Sequence, residues 1–457
     1  MDRSVSKTLL LGLVVAAGAG MAISYSSPVK AQQAAGSLTP FGAQAAGSAD
    51  GAIPPYTGGI SAVPNLPQAG SGGPFADPFA SEKPLFSVTA ANMAQYADML
   101  TPGAQALLKR YSDYRIDVYP THRTTVFPSW VLANEGKNAQ AAQEVPNGDG
   151  VAGTYGTIPF PQPKDGYQVM WNSYLQYQAP YCRQRFQNYL VDTSGAVTDL
   201  GTISTEWAEP YYIQGANAMP DTFYRDYKVQ YITPAAEAGQ TFLFKYPQDF
   251  QVSDEVTYFY SPGTRRVRLA PEFKYDTPIS SYGGAINYDE IDLFKGRMDK
   301  FNFQLVGEKE MIVPYNDYKF AGTTESDLLG SHHLNPDGVR WERHRVWVVD
   351  ATLKPDARHV FGRWTFYVDE DSWKILATES YDHAGNIYKV GFAYPWQNYG
   401  QGDATTFAHT FGIYDLSKGN YEISYVQAGA GDFWECSAQA PNMSRFTAQA
   451  IAASAIR

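Results

Sequence analysis

The chain has 457 residues and a formal net charge of −11, and aromatic side chains make up 14% of it. This length can bury a large core, in one large domain or in two ordinary ones. An acidic surface disfavours nucleic acid and anionic membranes as electrostatic partners, so we expect no nucleic-acid partner. Aromatic side chains suit a half-buried pleated surface, and the composition therefore favours a β-rich fold.

Residues 1–31 have the pattern of a secretory signal peptide. Arg3 and Lys7 precede an uncharged apolar run from Thr8 to Ile23, and a small-residue cleavage site ends at Ala31. No later run approaches the ~20 apolar residues that a membrane-spanning helix needs. We therefore expect cleavage near Ala31 and a periplasmic protein, which disfavours chemistry that depends on ATP, NAD or coenzyme A.

After the signal peptide, the sequence predicts an irregular segment followed by helices. Residues 32–80 are rich in Gly, Ala, Pro and Ser without periodicity, a pattern that by itself predicts a flexible arm. Thr101 and Pro102 provide an N-cap and a first-position proline for a helix that ends near Tyr111. A shorter helix is predicted over 167–177. The helix before Thr101 is indicated by apolar side chains at helical spacing: Met93, Tyr96, Ala97 and Leu100.

Past Arg183 the pattern is mainly that of strands. Between Arg340 and Trp396 short alternating runs are separated by polar turns, which predicts an antiparallel meander. In one of these strands Trp364 and Phe366 are predicted to face one side of the sheet and Tyr367 the other. Two further hairpins are predicted, one joining 256–260 to 265–269 and one joining 406–414 to 421–426.

The predicted fold class is mainly β, in the sense of a β-rich α+β fold. Residues 81–457 are expected to form a single domain, a large curved antiparallel sheet that makes an unclosed barrel. A few helices would cover its mouth, and those at 90–111 are the candidates for a lid. A curved sheet that does not fill itself leaves a groove or cavity.

The chain contains two cysteines, Cys182 and Cys436, which lie far apart in the sequence. In an oxidising compartment they can form one disulfide, and two buried free thiols are the alternative. Their spacing fits neither a metal site nor a redox motif.

Standard catalytic signatures are absent from the sequence. It has no GxSxG elbow, no HExxH, no Walker loop and no GxGxxG that opens a helix after a strand. Asp369, Glu370 and Asp371 match the paired carboxylates of a glycosidase only in residue type, and their place between two strands favours a turn. His344 and His359 could face each other across a hairpin, but a metal site would need further ligands. We therefore expect no enzyme, no cofactor and no metal.

The densest basic cluster is the candidate for ligand binding. Arg266 and Arg268 lie on one face of a predicted strand, where two guanidinium groups could hold a phosphate or carboxylate head group. The alternative is a solvated face that pairs with acids such as Asp254 and Glu255. Further candidate contacts are Arg345, His344 and Trp347 on the strand 341–349 and Tyr96 on the lid helix.

Six segments spread over the chain carry a family resemblance. They are Ser-Pro-Gly-Thr-Arg-Arg-Val-Arg at 261–268, Trp-Glu-Arg-His-Arg-Val-Trp-Val-Val at 341–349, and residues 38–59, 92–121, 313–316 and 358–373. Together they resemble the bacterial family called domain of unknown function 1329. The resemblance implies that at least residues 39–59 belong to the family pattern and form an ordered arm packed on the domain.

What the resemblance implies about function is limited. Such proteins are exported and are grouped with the LolA/LolB-like outer-membrane lipoprotein-sorting superfamily, whose unclosed barrel has helices over an apolar cavity. Members tend to be encoded beside an outer-membrane β-barrel protein and a resistance-nodulation-division-type transporter, which are therefore the expected protein partners. The family has no established catalytic residues, so none is assigned.

Three hypotheses follow from these patterns. The leading one is a periplasmic carrier or accessory protein that binds a hydrophobic molecule, such as a lipid, a fatty acid or a terpenoid-like compound, for envelope transport. The alternative is a structural or assembly component of an outer-membrane or transporter complex. A hydrolase acting on a lipid-like substrate is the third, and no nucleophile-base pair can be named for it.

Overall fold

The computed structural model describes residues 38–61, 77–138, 140–215, 221–398, 406–407, 409–427 and 433–454. The predicted signal peptide lies outside these residues. Among the helices that are described, none has the length and apolar character needed to cross a bilayer.

Strands dominate the described chain. The first ten are β1 (Phe86–Val88), β2 (Ile116–Val118), β3 (Gln143–Val145), β4 (Gly150–Ala152), β5 (Tyr181–Val191), β6 (Val197–Ala208), β7 (Phe223–Tyr231), β8 (Thr241–Pro247), β9 (Val256–Ser261) and β10 (Arg266–Leu269). The others are β11 (Phe301–Pro314), β12 (Trp341–Leu353), β13 (Arg363–Asp369), β14 (Ile375–Tyr381), β15 (Ile387–Ala393), β16 (Gln397–Asn398), β17 (Thr406–Phe407), β18 (Phe411–Asp415), β19 (Asn420–Val426) and β20 (Phe433–Ser437).

The helices are short and few. The α-helices of the described residues are α1 (Pro102–Arg110), α2 (Ser129–Asn138), α3 (Gly166–Tyr174), α4 (Tyr318–Gly322), α5 (Glu325–Leu328) and α6 (Ala448–Ser454). Several short 3-10 helices accompany them, among them Met93–Met99, Ser280–Tyr282 and Tyr288–Leu293. The predicted capping of α1 is confirmed, because Thr101 accepts a hydrogen bond from the amide of Ala104 and Pro102 is the first helical residue. The predicted helix over 167–177 corresponds to α3.

One sheet of sixteen strands holds most of the molecule together, in the order β1-β2-β12-β13-β14-β15-β18-β19-β5-β6-β7-β8-β9-β10, with β11 on β12 and β20 on β5. Its neighbours are antiparallel except at the parallel contact of Val118 with Trp341. The sheet is not closed into a barrel. The predicted meander (β12 to β15), the hairpin of β9 and β10 and the strand-dominated fold with few helices are confirmed. The hairpin predicted to join 406–414 to 421–426 is present as β18 and β19, but its first strand begins at Phe411, and Thr406–Phe407 pairs with β16 instead.

Three aromatic contacts show that the sheet is strongly curved. In the strand order, six strands separate β13 from β7, which in a flat sheet would place them more than about 30 Å apart. In the structure the Tyr174 ring lies 6.4 Å from Tyr224 on β7 and 6.0 Å from Phe294. Phe294 in turn lies 5.3 Å from Trp364 on β13. Two rings therefore bridge the distance from β7 to β13, and they fill the concave side.

The two faces of the sheet have separate cores. Trp364 and Phe366 belong to the core on the concave face, whereas Tyr367 belongs to the opposite one. This alternation is the one predicted for β13.

The helices at 90–111 lie on the outer face, which differs from their predicted place over the mouth. Leu107 and Leu108 of α1 belong to the outer core. A Cβ atom added to Gly103 would lie only 2.6 Å from Val390 Cγ1, so glycine allows α1 to approach β15 closely. The helical pattern indicates an apolar helix face but does not say which face of the sheet receives it.

A buried carboxylic acid supports α1 from the sheet. Glu379 accepts a hydrogen bond from the backbone amide of Gly103 (2.9 Å) and another from the hydroxyl of Tyr367 (3.0 Å). Burial raises the pKa of Glu379 to about 7 from its ordinary 4.5, against the effect of these hydrogen bonds.

We expect the stability of the protein to depend on the ionisation of Glu379. Between pH 4.5 and 7 the unfolded chain ionises this group while the folded chain keeps it protonated, so stability falls as pH rises through this window. The two pKa values correspond to a loss of about 3 kcal/mol, complete above pH 7. Glu379→Gln mimics the protonated form, so it should raise the free energy of unfolding at pH 8 and leave it unchanged at pH 4. Urea unfolding of both proteins measures the difference, and an equal effect at both pH values would contradict the assignment.

Residues 38–61 cross the turn between β13 and β14. The Gln44 amide donates to Glu370 Oε2 (3.0 Å), and Arg345 Nη1 donates to the carbonyl of Ala46 (3.0 Å). These contacts pack the described part of the N-terminal segment against the sheet.

The turn under this segment contains a buried charged cluster. Arg123 donates from Nε to Asp371 Oδ2 (2.8 Å) and from Nη2 to Asp371 Oδ1 (2.6 Å), and its Nη2 lies 3.3 Å from Glu370 Oε1. Arg345 Nη1 lies 3.2 Å from the same Glu370 oxygen. The predicted turn at Asp369 to Asp371 is therefore present, and the arginines pair with the buried carboxyl groups of Glu370 and Asp371.

Cys182 and Cys436 form a disulfide between β5 and β20. They are directly opposite each other in the antiparallel pairing of the two strands. The bond closes a loop over a sequence separation of 254 residues, so it ties the C-terminal strand to the centre of the sheet.

Candidate functional site

An aromatic-lined cavity lies on the concave face of the sheet. About 540 Å³ of space that protein atoms do not fill lies between its lining residues, and this figure includes open solvent. One wall comes from strands β5 to β8 and β19, and the other from the segment 279–295. The main side chains of the sheet wall are Phe186, Ile203, Tyr227, Val229, Tyr231, Phe242, Phe244, Tyr246 and Tyr425.

The apolar wall follows from simple strand alternation. Phe242, Phe244 and Tyr246 occupy every second position of β8, so their side chains point to the same face. The rings of Phe242 and Phe244 stack at 5.8 Å, and those of Phe244 and Tyr246 at 6.3 Å. This row of rings makes the cavity wall continuous along the strand.

The segment 279–295 covers the cavity and is held to the sheet by polar anchors. Lys389 of β15 donates to Glu290 Oε2 (2.7 Å) and to the carbonyl of Ala285 (2.9 Å). The hydroxyls of Tyr231 and Ser281 are 2.8 Å apart. These anchors surround the apolar side chains of the segment, which face the aromatic wall of the sheet.

One end of the cavity is polar. Asp292 and Lys295 line the aromatic cavity and also a second space of about 320 Å³, which Arg225, Lys374 and His409 line as well. Lys295 donates to Asp292 Oδ2 (3.0 Å). His409 Nδ1 lies 3.5 Å from the same oxygen. Together these groups form the polar end of the cavity.

The backbone holds Asp292 in an uncommon conformation. Its φ is 53°, and that of Leu293 is 69°. Two consecutive residues other than glycine in the left-handed region are strained, and such strain clusters at functional sites. The conformation turns the Asp292 carboxylate towards Lys295 and His409.

Burial changes the pKa values of the side chains at the polar end. It lowers the pKa of Lys374 to about 8 and that of His409 to about 4, so the histidine is neutral at pH 7. Although burial opposes it, Lys295 and His409 hold the pKa of Asp292 well below its ordinary value. Arg225 Nε forms an ion pair with Glu209 Oε1 (2.5 Å). The polar end thus combines cations with fewer carboxylates in a largely dry environment.

The arginines of the densest basic cluster lie away from this cavity. Arg266 and Arg268 are on β10, the last strand of the sheet, and both are exposed. Arg268 pairs with Glu272 (2.5 Å), and both side chains are about half exposed. Neither residue is among the cavity-lining residues that the structure describes. Their role in binding a head group stays a prediction.

The candidates on β12 and on the 3-10 helix are packed into the protein. His344 stacks on Tyr315 with ring centres 3.8 Å apart, and Trp347 stacks on Trp373 at 6.2 Å. Arg345 is the buried partner of Glu370, and Tyr96 stacks on Phe86 at 4.8 Å.

The structure therefore does not bring the six predicted site residues together, and their ligand-binding role is untested. Among the residues that the structure describes, no group of three or more His, Cys, Asp or Glu side chains is placed to hold a metal ion.

No pattern in the sequence predicted that the residues of the polar end form a site. Lys295 and Lys374 are isolated lysines that belong to no recognisable motif, and Arg225 lies in a strand beside Asp226. One signal was available, since the alternating aromatics of β8 indicated an apolar sheet face. The lysines that complete it come from distant segments, which only the folded chain brings together.

Comparison with known proteins gives both a family and relatives. The chain is 35% identical to the uncharacterised protein PA3922 of Pseudomonas aeruginosa over 393 residues, 84% of each chain. Among solved structures, a DUF1329 family protein from Desulfovibrio piger has 13% identity and a TM-score of 0.41, covering 63% of this chain and 97% of its own.

Two other solved structures also resemble the chain in fold. A putative outer membrane lipoprotein-sorting protein domain from Vibrio parahaemolyticus has 12% identity and a TM-score of 0.40, covering 63% of this chain and 98% of its own. A LolA superfamily protein from Nitrosomonas europaea has 10% identity and a TM-score of 0.35, with 62% and 98% covered. The family model that matches residues 87–452 is described as "Protein of unknown function (DUF1329)", and the chain therefore belongs to this family.

Proposed function

We propose that the protein is a periplasmic carrier or accessory protein that binds a hydrophobic molecule for envelope transport and catalyses no reaction. The molecule would be a lipid, a fatty acid or a terpenoid-like compound. The observation that carries the proposal is the aromatic cavity between the concave face of the sheet and the segment 279–295. The predicted signal peptide supports the location.

The cavity walls are suited to an acyl chain or a fused ring system. An alkyl chain that buries on the order of 300 Å² against these walls would contribute about 7 kcal/mol before the cost of ordering both partners. The net affinity would then be moderate, which suits a carrier that must also release its ligand.

We propose that movement of the covering segment widens the opening of the cavity for a ligand. The segment 279–295 is the inner wall of the cavity, and its anchors to the sheet include the contacts of Lys389 and of Tyr231 described above. Breaking these polar contacts would open the space from the side away from β8. The proposed partners for loading or unloading are an outer-membrane β-barrel protein and a resistance-nodulation-division-type transporter.

We expect a cavity-filling substitution to weaken binding. Val229→Phe places a larger side chain on the wall, and it should weaken the binding of a fluorescent fatty-acid probe at least about tenfold because it occupies ligand space. Val252→Phe is the matched control, since Val252 is 73% exposed and lies outside the cavity. Fluorescence titration of the wild type and both variants measures the effect. Equal affinities for all three proteins would contradict a binding site at this wall.

The alternative is a structural or assembly component of an envelope complex. It is favoured by the extent to which the concave face is already packed with the protein's own rings, such as Phe294 against Trp364 and Phe366. Native mass spectrometry of the protein purified from a bacterial periplasm, with organic extraction, separates the two functions. A bound lipid supports the carrier, whereas an empty protein that takes up no probe and co-purifies with an outer-membrane barrel supports the assembly component.

A further inference from the structure

We propose that the polar end of the cavity binds the head group of an amphiphile that carries a single negative charge, and that its ligand class is long-chain carboxylates. Lys374 would contact the carboxylate directly, with Lys295 and Arg225 beside it. This inference rests on the proposed function, because it assigns a ligand class to the same cavity.

The main support for this inference is the buried and unpaired side chain of Lys374. The residue is only 5% exposed, and its side chain lines the polar space. Among the residues that the structure describes, no hydrogen-bond acceptor and no carboxylate within reach of a salt bridge partners its ammonium group. Buried lysines are otherwise almost always paired, because an unpaired buried charge is strongly unfavourable. A buried ammonium that faces an internal space without a partner is suited to an anion from outside.

The charge balance of the polar end also favours a single negative charge. Lys295 is paired with Asp292, and Arg225 with Glu209. Burial raises the pKa of Glu209 to about 7, so this partner of Arg225 is only partly ionised at pH 7, and His409 is neutral there because its pKa is lowered. At least one cation, Lys374, is therefore in excess. A monoanionic carboxylate would neutralise this excess. Arg225 adds a buried Nη2 that has no hydrogen-bond partner in the described part of the protein, and this donor is available to a second carboxylate oxygen.

The position of the cations relative to the apolar wall points to an amphiphile rather than to a small free anion. Asp292 and Lys295 border both spaces. A molecule whose hydrocarbon part lies against Phe244 and Tyr246 therefore has its end at the lysines. A small anion would leave the adjoining aromatic wall without a ligand.

The binding should have a pH signature. Burial, and to a smaller extent Lys295 and Arg225, lower the pKa of Lys374 to about 8, while Asp292 opposes this effect. The other titratable groups that line the same space are His409, ahead of β18, and Tyr174 of α3. A bound carboxylate stabilises the ammonium form, so binding should be strong at pH 7 and should weaken above pH 8.

The test compares oleate with oleyl alcohol, which has the same chain and no charge. We expect the wild-type protein to bind oleate at least about tenfold more tightly than the alcohol at pH 7, and to lose most of this preference at pH 9.5. Lys374→Met should remove the preference by weakening the binding of oleate. Arg268→Ala is the matched control for the exposed basic cluster, and it should behave like the wild type. The comparison of the two ligands on the wild-type protein needs no variant to fold.

Each other outcome overturns the inference in a recognisable way. Equal binding of oleate and oleyl alcohol by the wild type would overturn the head-group site and leave the carrier function standing. A preference for oleate that Arg268→Ala removes and Lys374→Met retains would move the head group to the exposed arginines. Binding of neither ligand would overturn both the inference and the proposed function.

Discussion

Replacing Arg123 by Ala should lower the free energy of unfolding by about 3–5 kcal/mol, the range found when one partner of a buried ion pair is removed. The Arg123 side chain is 2% exposed, and it neutralises Asp371 and Glu370, whose side chains are 1% and 2% exposed. Without the guanidinium, two carboxylates lose a partner in a dry environment. Guanidinium chloride unfolding at pH 8 measures the change.

The destabilisation by Arg123→Ala should be smaller at pH 4 than at pH 8. Burial and the neighbouring Asp371 raise the pKa of Glu370 well above its ordinary value even though Arg123 opposes this effect, so loss of Arg123 raises this pKa further. Protonation removes the unpaired charge and recovers part of the lost stability.

The matched control for this prediction is Arg268→Ala. It removes the same side chain from an ion pair in which both partners are about half exposed, so it should change stability by less than about 0.5 kcal/mol. A loss for Arg123→Ala as small as that for Arg268→Ala would show that the buried cluster does not stabilise the fold.

Arg123 also connects the N-terminal segment to the sheet. Its Nη1 donates to the carbonyl of Gln44 (2.8 Å), and Gln44 also contacts Glu370. We therefore expect residues 38–61 to become more accessible to protease in Arg123→Ala than in the wild type, a second readout of the same substitution.

Removing the disulfide should also cause a large loss in the free energy of unfolding. The double variant Cys182→Ala and Cys436→Ala should lose roughly 2–5 kcal/mol, since the bond closes a long loop and restricts the unfolded chain. Alanine avoids placing a polar hydroxyl in this site, where Cys182 is 0% and Cys436 4% exposed.

Reducing agent provides the internal control for the disulfide. It should lower the guanidinium chloride midpoint of the wild type towards that of the double variant, and it should leave the double variant unchanged. A wild-type midpoint that is insensitive to complete reduction would show that the bond contributes little to stability.

Local patterns predicted much of the secondary structure. The alternation of Trp364, Phe366 and Tyr367 predicted which side chains share a face of β13, because strand geometry alone places neighbours on opposite sides. Thr101 and Pro102 predicted the start of α1 because the capping interaction is made within a single helical turn. Six short segments of the sequence are enough to indicate the family.

Other features could not be predicted from local sequence patterns. The turn at Asp369 to Asp371 was predicted, but its burial depends on Arg123, which lies far away in sequence. The place of α1 on the outer face depends on the fit of Gly103 against Val390. The segment 279–295 has no strong periodicity, and its role as the inner cavity wall follows from contacts with strands on both sides of it in sequence.

The strand-rich class, the meander, the cap of α1 and the family follow from the amino-acid sequence alone, because they depend on periodicity, capping and motifs within short stretches of chain. The face of the sheet that is concave, the segment that covers it and the place where its charges meet are known only from the folded chain. Lys374 lies in the turn between β13 and β14, Lys295 lies beyond β10 and Arg225 lies on β7, and the curvature of the sheet brings them to one space. Such long-range proximity depends on how far the sheet bends and on its register, and a local sequence pattern predicts neither of them.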